Sequence, residues 1–237
     1  MVLRSLSRSG IVFSPDMPPA FDPELASRIE SFAVVAVLVV DRAEDAVPLA
    51  GALLEGGVGV MELTLRTPVA LDALRAIRKS VPTMIAGVGT ILTPDQVSAA
   101  IDAGADFGVA PGTNPRVLRA AAEAGFPFAP GIATPSDIEA AIDHECRLLK
   151  FFPCEASGGL SYLKNIAAPY AHLGLRYVPL GGLNEKNMAT YLAEPMIAAL
   201  GGSWLAPREL IQACDWAAIT ARAAAAMEVI RATRKGL

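Results

Sequence analysis

Cysteine, histidine and lysine are scarce in this 237-residue chain, at three, two and five residues. Cys146, Cys154 and Cys214 lie too far apart for a CxxC metal or redox pair, and an odd count in a chain this size does not read as a disulfide framework. That points to a reducing, cytoplasmic setting. His144 and His172 stand alone, in neither HxH nor HExxH spacing, which disfavours zinc chemistry. There is no GxSxG elbow, which removes the usual serine-hydrolase arrangement. The histidines and cysteines are therefore expected as helix-face or core residues. No basic run is longer than a pair such as Arg234-Lys235, and the net charge is −4, so nothing supplies the patch that a nucleic-acid backbone requires. Mean hydropathy is +0.42. Even so, the charge-free runs 32–40 and 80–94 are too short, or too broken by Gly and Pro, to cross a bilayer as a helix.

What is abundant is a repeat. The length suits one large α/β barrel or two small domains. From residue 32 onward, short β-branched runs alternate with Ala/Leu-rich segments of helical period. Eight strands are expected, at 34–40, 58–65, 84–87, 107–110, 126–129, 148–152, 176–180 and 196–200, with starts roughly 20 to 28 residues apart. Thr67-Pro68, Thr93-Pro94, Asn114-Pro115 and Thr134-Pro135 each set a capping residue before a proline suited to the first helical position. Glycines at 56–57, 104 and 125 mark helix ends. A helix near 22–31 precedes the first strand, and an amphipathic helix over 216–231 follows the last. No linker divides the chain. The pattern predicts a (β/α)8 barrel in one domain, 26–237, behind a flexible extension, 1–25. That extension has Arg4 and Arg8 but neither an apolar stretch nor a strongly Arg-rich amphipathic helix, so it does not read as a targeting peptide. Met17 is an alternative start.

In such a barrel the chemistry sits at the C-terminal strand ends. Lys150 is set in LLKFF, whereas Lys79, Lys164, Lys186 and Lys235 lie in polar or helical contexts. An apolar surround disfavours an ammonium and leaves a nucleophilic amine, the requirement of Schiff-base catalysis. Neutralisation by a buried carboxylate for packing specificity is the alternative. Even spacing places Val60, Glu62 and Thr64 on one face of the second strand, with Arg66 at its exit. Leu148, Lys150 and Phe152 share a face in the same way. Glu62 either moves protons or merely neutralises Lys150 or Arg66, and Arg66 could grip a substrate carboxylate bidentately. Gly181-Gly182 and Gly201-Gly202-Ser203, at two adjacent strand exits, suit a phosphate.

MELTLRTPVALDALRAI, AGVGTILTPDQ, FGVAPGTNP, APGIATPSDI, LLKFFPCEASGG and ALGGSWLAP, in this order, resemble the class I 2-keto-3-deoxy-6-phosphogluconate (KDPG) and 4-hydroxy-2-oxoglutarate (KHG) aldolases. The resemblance implies that Lys150 forms the imine with C2 of a 2-keto acid and that Glu62 is the acid/base. It implies that Arg66 and Thr90 hold the pyruvate carboxylate, Pro111 lines that pocket and Phe152 packs beside the lysine. Gly181, Gly182, Gly202 and Ser203 match the phosphate loops. A homotrimer without cofactor or metal is implied, with a phosphorylated keto acid as substrate and pyruvate and glyceraldehyde 3-phosphate as products. One departure is Leu180, where members acting on the gluconate compound commonly carry threonine. That keeps 4-hydroxy-2-oxoglutarate and the 6-phosphogalactonate epimer open as substrates. A sugar-phosphate isomerase or epimerase, with Glu62 as a simple base, and a silent phosphometabolite-binding barrel are the competing readings.

Overall fold

The computed structural model describes residues 21–234. The chain opens with α1 (Pro23–Phe32), capped by Asp22, whose carboxylate accepts from the amides of Glu24 and Leu25. This is the helix expected near 22–31, so Pro23, Glu24 and Leu25 are helical although they fall within the expected extension, and residues 1–20 of that extension, with Arg4, Arg8 and Met17, lie outside the described residues. Alternation then follows: β1 (Val34–Leu38), α2 (Ala46–Glu55), β2 (Val60–Thr64), α3 (Ala70–Ser80), β3 (Ile85–Gly89), α4 (Pro94–Asp102), β4 (Gly108–Val109), α5 (Pro115–Glu123), β5 (Phe128–Ala129), β6 (Gly131–Ile132) and α6 (Pro135–Asp143). The second half holds β7 (Leu148–Phe151), α7 (Gly159–Ala167), β8 (Arg176–Pro179), α8 (Met188–Leu192), β9 (Leu200–Gly202), α9 (Arg208–Gln212) and α10 (Trp216–Thr233).

All strand pairs are parallel. The strands form a curled six-stranded sheet, β5-β4-β3-β2-β1-β9, and a three-stranded sheet, β6-β7-β8. Isolated bridges Tyr177–Ile197 and Leu180–Gly201 join β8 to the segment around β9. Two expectations shift. The fifth strand is two short pieces, because Pro130 has no N–H to give a ladder, although its carbonyl accepts from Lys150. The eighth strand forms over Leu200–Gly202 rather than 196–200. There the glycines are selected by space: a Cβ at 201 would overlap Leu180, and one at 202 would overlap the Trp204 ring.

Thr93, Asn114 and Thr134 cap α4, α5 and α6 with proline in the first turn, and Thr93 and Thr134 complete capping boxes. Thr67 does not cap α3. Its hydroxyl donates instead to Val40 O at 2.7 Å, and the helix starts three residues later behind Val69.

Two hydrophobic layers follow from strand parity. Outward residues such as Ala36, Leu38, Met61, Leu63, Leu149 and Phe151 join the helices. Inward residues Val35, Val60, Ile85, Leu148 and Val178 join Phe21 and Ile29 from the α1 side. Because α1 immediately precedes β1, it covers the N-terminal strand ends and leaves the opposite end for the site. Among the described residues, no helix is long and apolar enough to cross a membrane.

Candidate active site

Each inward face ends in polar residues one layer above the apolar plug. On β2 the inward order is Val60, Glu62, Thr64, and on β7 it is Leu148 then Lys150. Glu62 and Lys150 are 2% and 6% exposed, and Lys150 Nζ donates to Glu62 Oε1 at 3.4 Å. A buried pair of this kind needs a reason, since desolvation of both ions opposes their attraction. The Lys150 ammonium position also lies 5.4 Å from the centre of the Phe152 ring. Beneath the pair is an apolar cavity of about 30 Å³ that includes Val35, Val109 and Val178.

Above the pair opens a cleft of about 480 Å³. Its walls bring together Glu62, Arg66, Thr90, Pro111, Lys150, Phe152, Gly181, Gly202 and Ser203, nine of the ten residues picked out from the sequence. Gly182 is the exception: it turns beneath Glu155, where a Cβ would come within 2.6 Å of that side chain. Arg66 is exposed at the rim and its guanidinium makes no hydrogen bond or ion pair with any described residue. Most other arginines around the strands are engaged, for example Arg78 with Asp106 and Arg208 with Asp41. The cleft therefore carries one uncommitted cation beside a neutralised pair, which suits an anionic ligand.

The sequence did not single out Val37 and Val39, which also line the cleft, as does Thr64 on the face it shares with Glu62. Thr64 spends its hydroxyl on Leu38 O at 2.9 Å. Gly89 was also missed as a site residue. It faces inward, and a Cβ there would overlap the Glu62 carboxylate, so only glycine leaves room for that side chain. A lone inward glycine carries no such signal in a sequence. Thr90 follows with φ of 61°, a left-handed conformation that costs a β-branched residue on the order of 1–3 kcal/mol and is met chiefly at functional sites.

Among the described residues, no cluster of three His, Cys, Asp or Glu could hold a metal. His144 closes α6, and Cys146 and Cys154 are buried. Burial pushes the Cys146 thiol up to about 12. Cys214 departs from the expected core or helix-face placement: it is exposed in the turn after α9, at φ of 54°, with Arg42 donating to its sulfur at 3.2 Å.

Comparison with known proteins identifies relatives of this chain. The sequence model of the KDPG and KHG aldolase family matches residues 25–222. A KHG/KDPG aldolase of Escherichia coli K12 is 45% identical over 195 residues, 82% of this chain and 91% of that protein. A 2-dehydro-3-deoxy-phosphogluconate aldolase of Treponema pallidum is 42% identical over 202 residues, 85% and 95% of the two chains. The crystal structure of a KDPG aldolase from Legionella pneumophila, with pyruvate captured as a covalent carbinolamine, superposes with a TM-score of 0.81 at 37% identity, covering 84% and 97%. Fold and relatives together define a carbon–carbon lyase. The chain belongs to the KDPG and KHG aldolase family.

Proposed function

We propose that this protein is a Schiff-base aldolase that cleaves 2-keto-3-deoxy-6-phosphogluconate to pyruvate and glyceraldehyde 3-phosphate, with Lys150 as the nucleophile. The observation that carries the reading is the buried Lys150–Glu62 contact of 3.4 Å at the floor of a cleft whose rim holds the uncommitted Arg66.

The chemistry follows from these positions. A substrate carboxylate paired with Arg66, beside Thr90 and Pro111, sets C2 over Lys150. The neutral amine adds to the C2 carbonyl and gives a carbinolamine. Loss of water, with Glu62 supplying and recovering protons, leaves a protonated imine. Removal of the C4 hydroxyl proton, by Glu62 directly or through water, lets the C3–C4 bonding electrons flow into the imine. The aldehyde departs and an enamine remains. Protonation at C3 and hydrolysis then release pyruvate and restore the lysine. The imine provides the electron sink that a bare ketone lacks, so the sequence of steps is complete without a metal or organic cofactor. Gly181, Gly202 and Ser203 receive the distal phosphate, with Gly182 forming the turn behind Gly181, while Phe152 shields the lysine.

Leu180 favours a second substrate within the same chemistry. Its aliphatic side chain separates the inner cavity from the cleft and packs on Gly201, so this wall offers no hydroxyl. That suits 4-hydroxy-2-oxoglutarate or the galactonate epimer.

We further infer that the two curled sheets act as one (β/α)8 barrel. The break at Pro130, with β5 on β4 and β6 on β7, and the two bridges from β8 to the β9 segment support this. The chain then forms one domain that includes all of α1, works as a homotrimer and resides in the cytoplasm. Among the described residues three large apolar side chains are exposed, and the two that lie outside the cleft, Leu92 and Ile101, favour an oligomer.

Borohydride reduction in the presence of pyruvate, followed by peptide mass spectrometry, tests the mechanism. A reduced pyruvyl adduct on Lys150 is expected. Folded protein that binds a phosphate ester but traps no adduct on any lysine would remove the aldolase mechanism in favour of an isomerase with Glu62 as its base.

A further inference from the structure

The glycine loop after β8 is not held by its own turn alone. Beyond the last paired residues of β7 and β8 the two exits stay joined by backbone bonds: Leu180 N to Phe151 O at 2.9 Å, Cys154 N to Leu180 O at 2.7 Å, and Glu155 N to Gly181 O at 3.0 Å. Glu155 therefore sits directly over Gly182, and a Cβ on that glycine would come within 2.6 Å of the Glu155 Cβ and Cγ. The Glu155 carboxylate in turn accepts a hydrogen bond from the Tyr191 hydroxyl, and that hydroxyl accepts one from the Cys154 thiol at 3.2 Å. Tyr191 is only 3% exposed and belongs to α8, the helix into which the glycine loop runs. Gly159 completes the arrangement. Its missing side chain leaves space for both polar groups, since a Cβ there would be 3.0 Å from Glu155 Oε1 and 3.1 Å from the Tyr191 oxygen.

These donors point one way, from thiol to phenol to carboxylate. Burial raises both the Cys154 thiol, to about 11, and the Tyr191 phenol, so each remains protonated and able to donate at neutral pH. The chain of bonds fixes the rotamer of Glu155, and through it the height of Gly181–Gly182 relative to the Lys150 strand.

We propose that Glu155 and Tyr191 are positioning residues that set the glycine loop for the phosphate end of the substrate, and so tune discrimination between phosphorylated and unphosphorylated keto acids. The inference rests on the proposed aldolase reading, because it assigns the loop to a phosphate. Neither residue lines the cleft, so neither is placed to act on the reacting carbon.

The test compares cleavage of 2-keto-3-deoxy-6-phosphogluconate and of 4-hydroxy-2-oxoglutarate by the unaltered protein, Tyr191→Phe, Glu155→Ala and Glu155→Gln. Tyr191→Phe and Glu155→Ala are expected to raise KM for the phosphorylated substrate roughly five- to tenfold, the size of one lost hydrogen bond. Turnover number, kinetics with the unphosphorylated substrate and pyruvate trapping on Lys150 should stay within about twofold. Glu155→Gln keeps an acceptor for the phenol and should restore most of the loss. Equal changes for both substrates, or none for either, would overturn the positioning role, as would an unaltered protein with no preference for the phosphorylated compound. If Tyr191→Phe does not fold, the Glu155→Ala and Glu155→Gln pair decides. Absence of a Lys150 adduct in the unaltered protein would instead sink the aldolase reading itself.

Discussion

At the scale of the residue, the Lys150–Glu62 contact concentrates the chemistry in one donor and one acceptor. Glu62→Gln retains shape and a hydrogen-bond acceptor but removes the proton carrier. Turnover should fall about a hundredfold or more while some pyruvate still traps on Lys150, as single-turnover and trapping assays would reveal. Gly89→Ala approaches the same carboxylate from the neighbouring strand. Its methyl group would occupy the Glu62 position, so steady-state turnover should drop to a similar extent in protein whose circular dichroism is unchanged. Leu180→Thr restores a hydroxyl to the cleft wall, and a hydrogen bond made there contributes on the order of 1–3 kcal/mol. The ratio of kcat/KM for 2-keto-3-deoxy-6-phosphogluconate over 4-hydroxy-2-oxoglutarate should rise. A flat or falling ratio would free Leu180 from any part in substrate choice.

At the scale of the element, the exits of β1 and β9 are latched together. Asp41, just past β1, accepts hydrogen bonds from Arg208 at both carboxylate oxygens and from Gln212. Those bonds lower its pKa from 3.8 to about 2. A depressed carboxylate stabilises the fold in its ionised form, and stability rises with pH across the window in which the unfolded chain holds a proton that the folded one refuses. The contribution is thus complete above about pH 4 and is lost as pH falls through 2. Asp41→Asn should lower the urea midpoint at pH 7, and the gap to the unaltered protein should close between pH 4 and 2. Helix starts were legible at this scale because Thr93, Asn114 and Thr134 act within three residues of chain. Thr67 misled because its partner, Val40 O, is 27 residues away.

At the scale of the whole molecule, stability rests on the layer between strands and helices more than on the narrow interior. Leu53, on α2, is fully buried in that layer. Leu53→Ala should cost about 2–5 kcal/mol in chemical denaturation, with pyruvate trapping on Lys150 preserved in the folded fraction. Comparable protection of the inner face comes from α1, which meets the strand starts and leaves the polar ends of β2 and β7 open to substrate.

The sequence by itself determined the alternation of strand and helix and the inward parity of Glu62 and Lys150, because period-two and capping signals are local, whereas Thr90 and Pro111 were named only through the resemblance of longer motifs. Only the tertiary structure decided where pairing begins and stops: Pro130 breaks the fifth strand, and the glycines at 201 and 202 make room for Leu180 and Trp204. It alone also revealed that Gly89 clears space for Glu62 and that Tyr191 reaches Glu155 across 36 residues. Such features depend on which atoms compete for one volume, and that competition exists only once distant strands have been brought side by side.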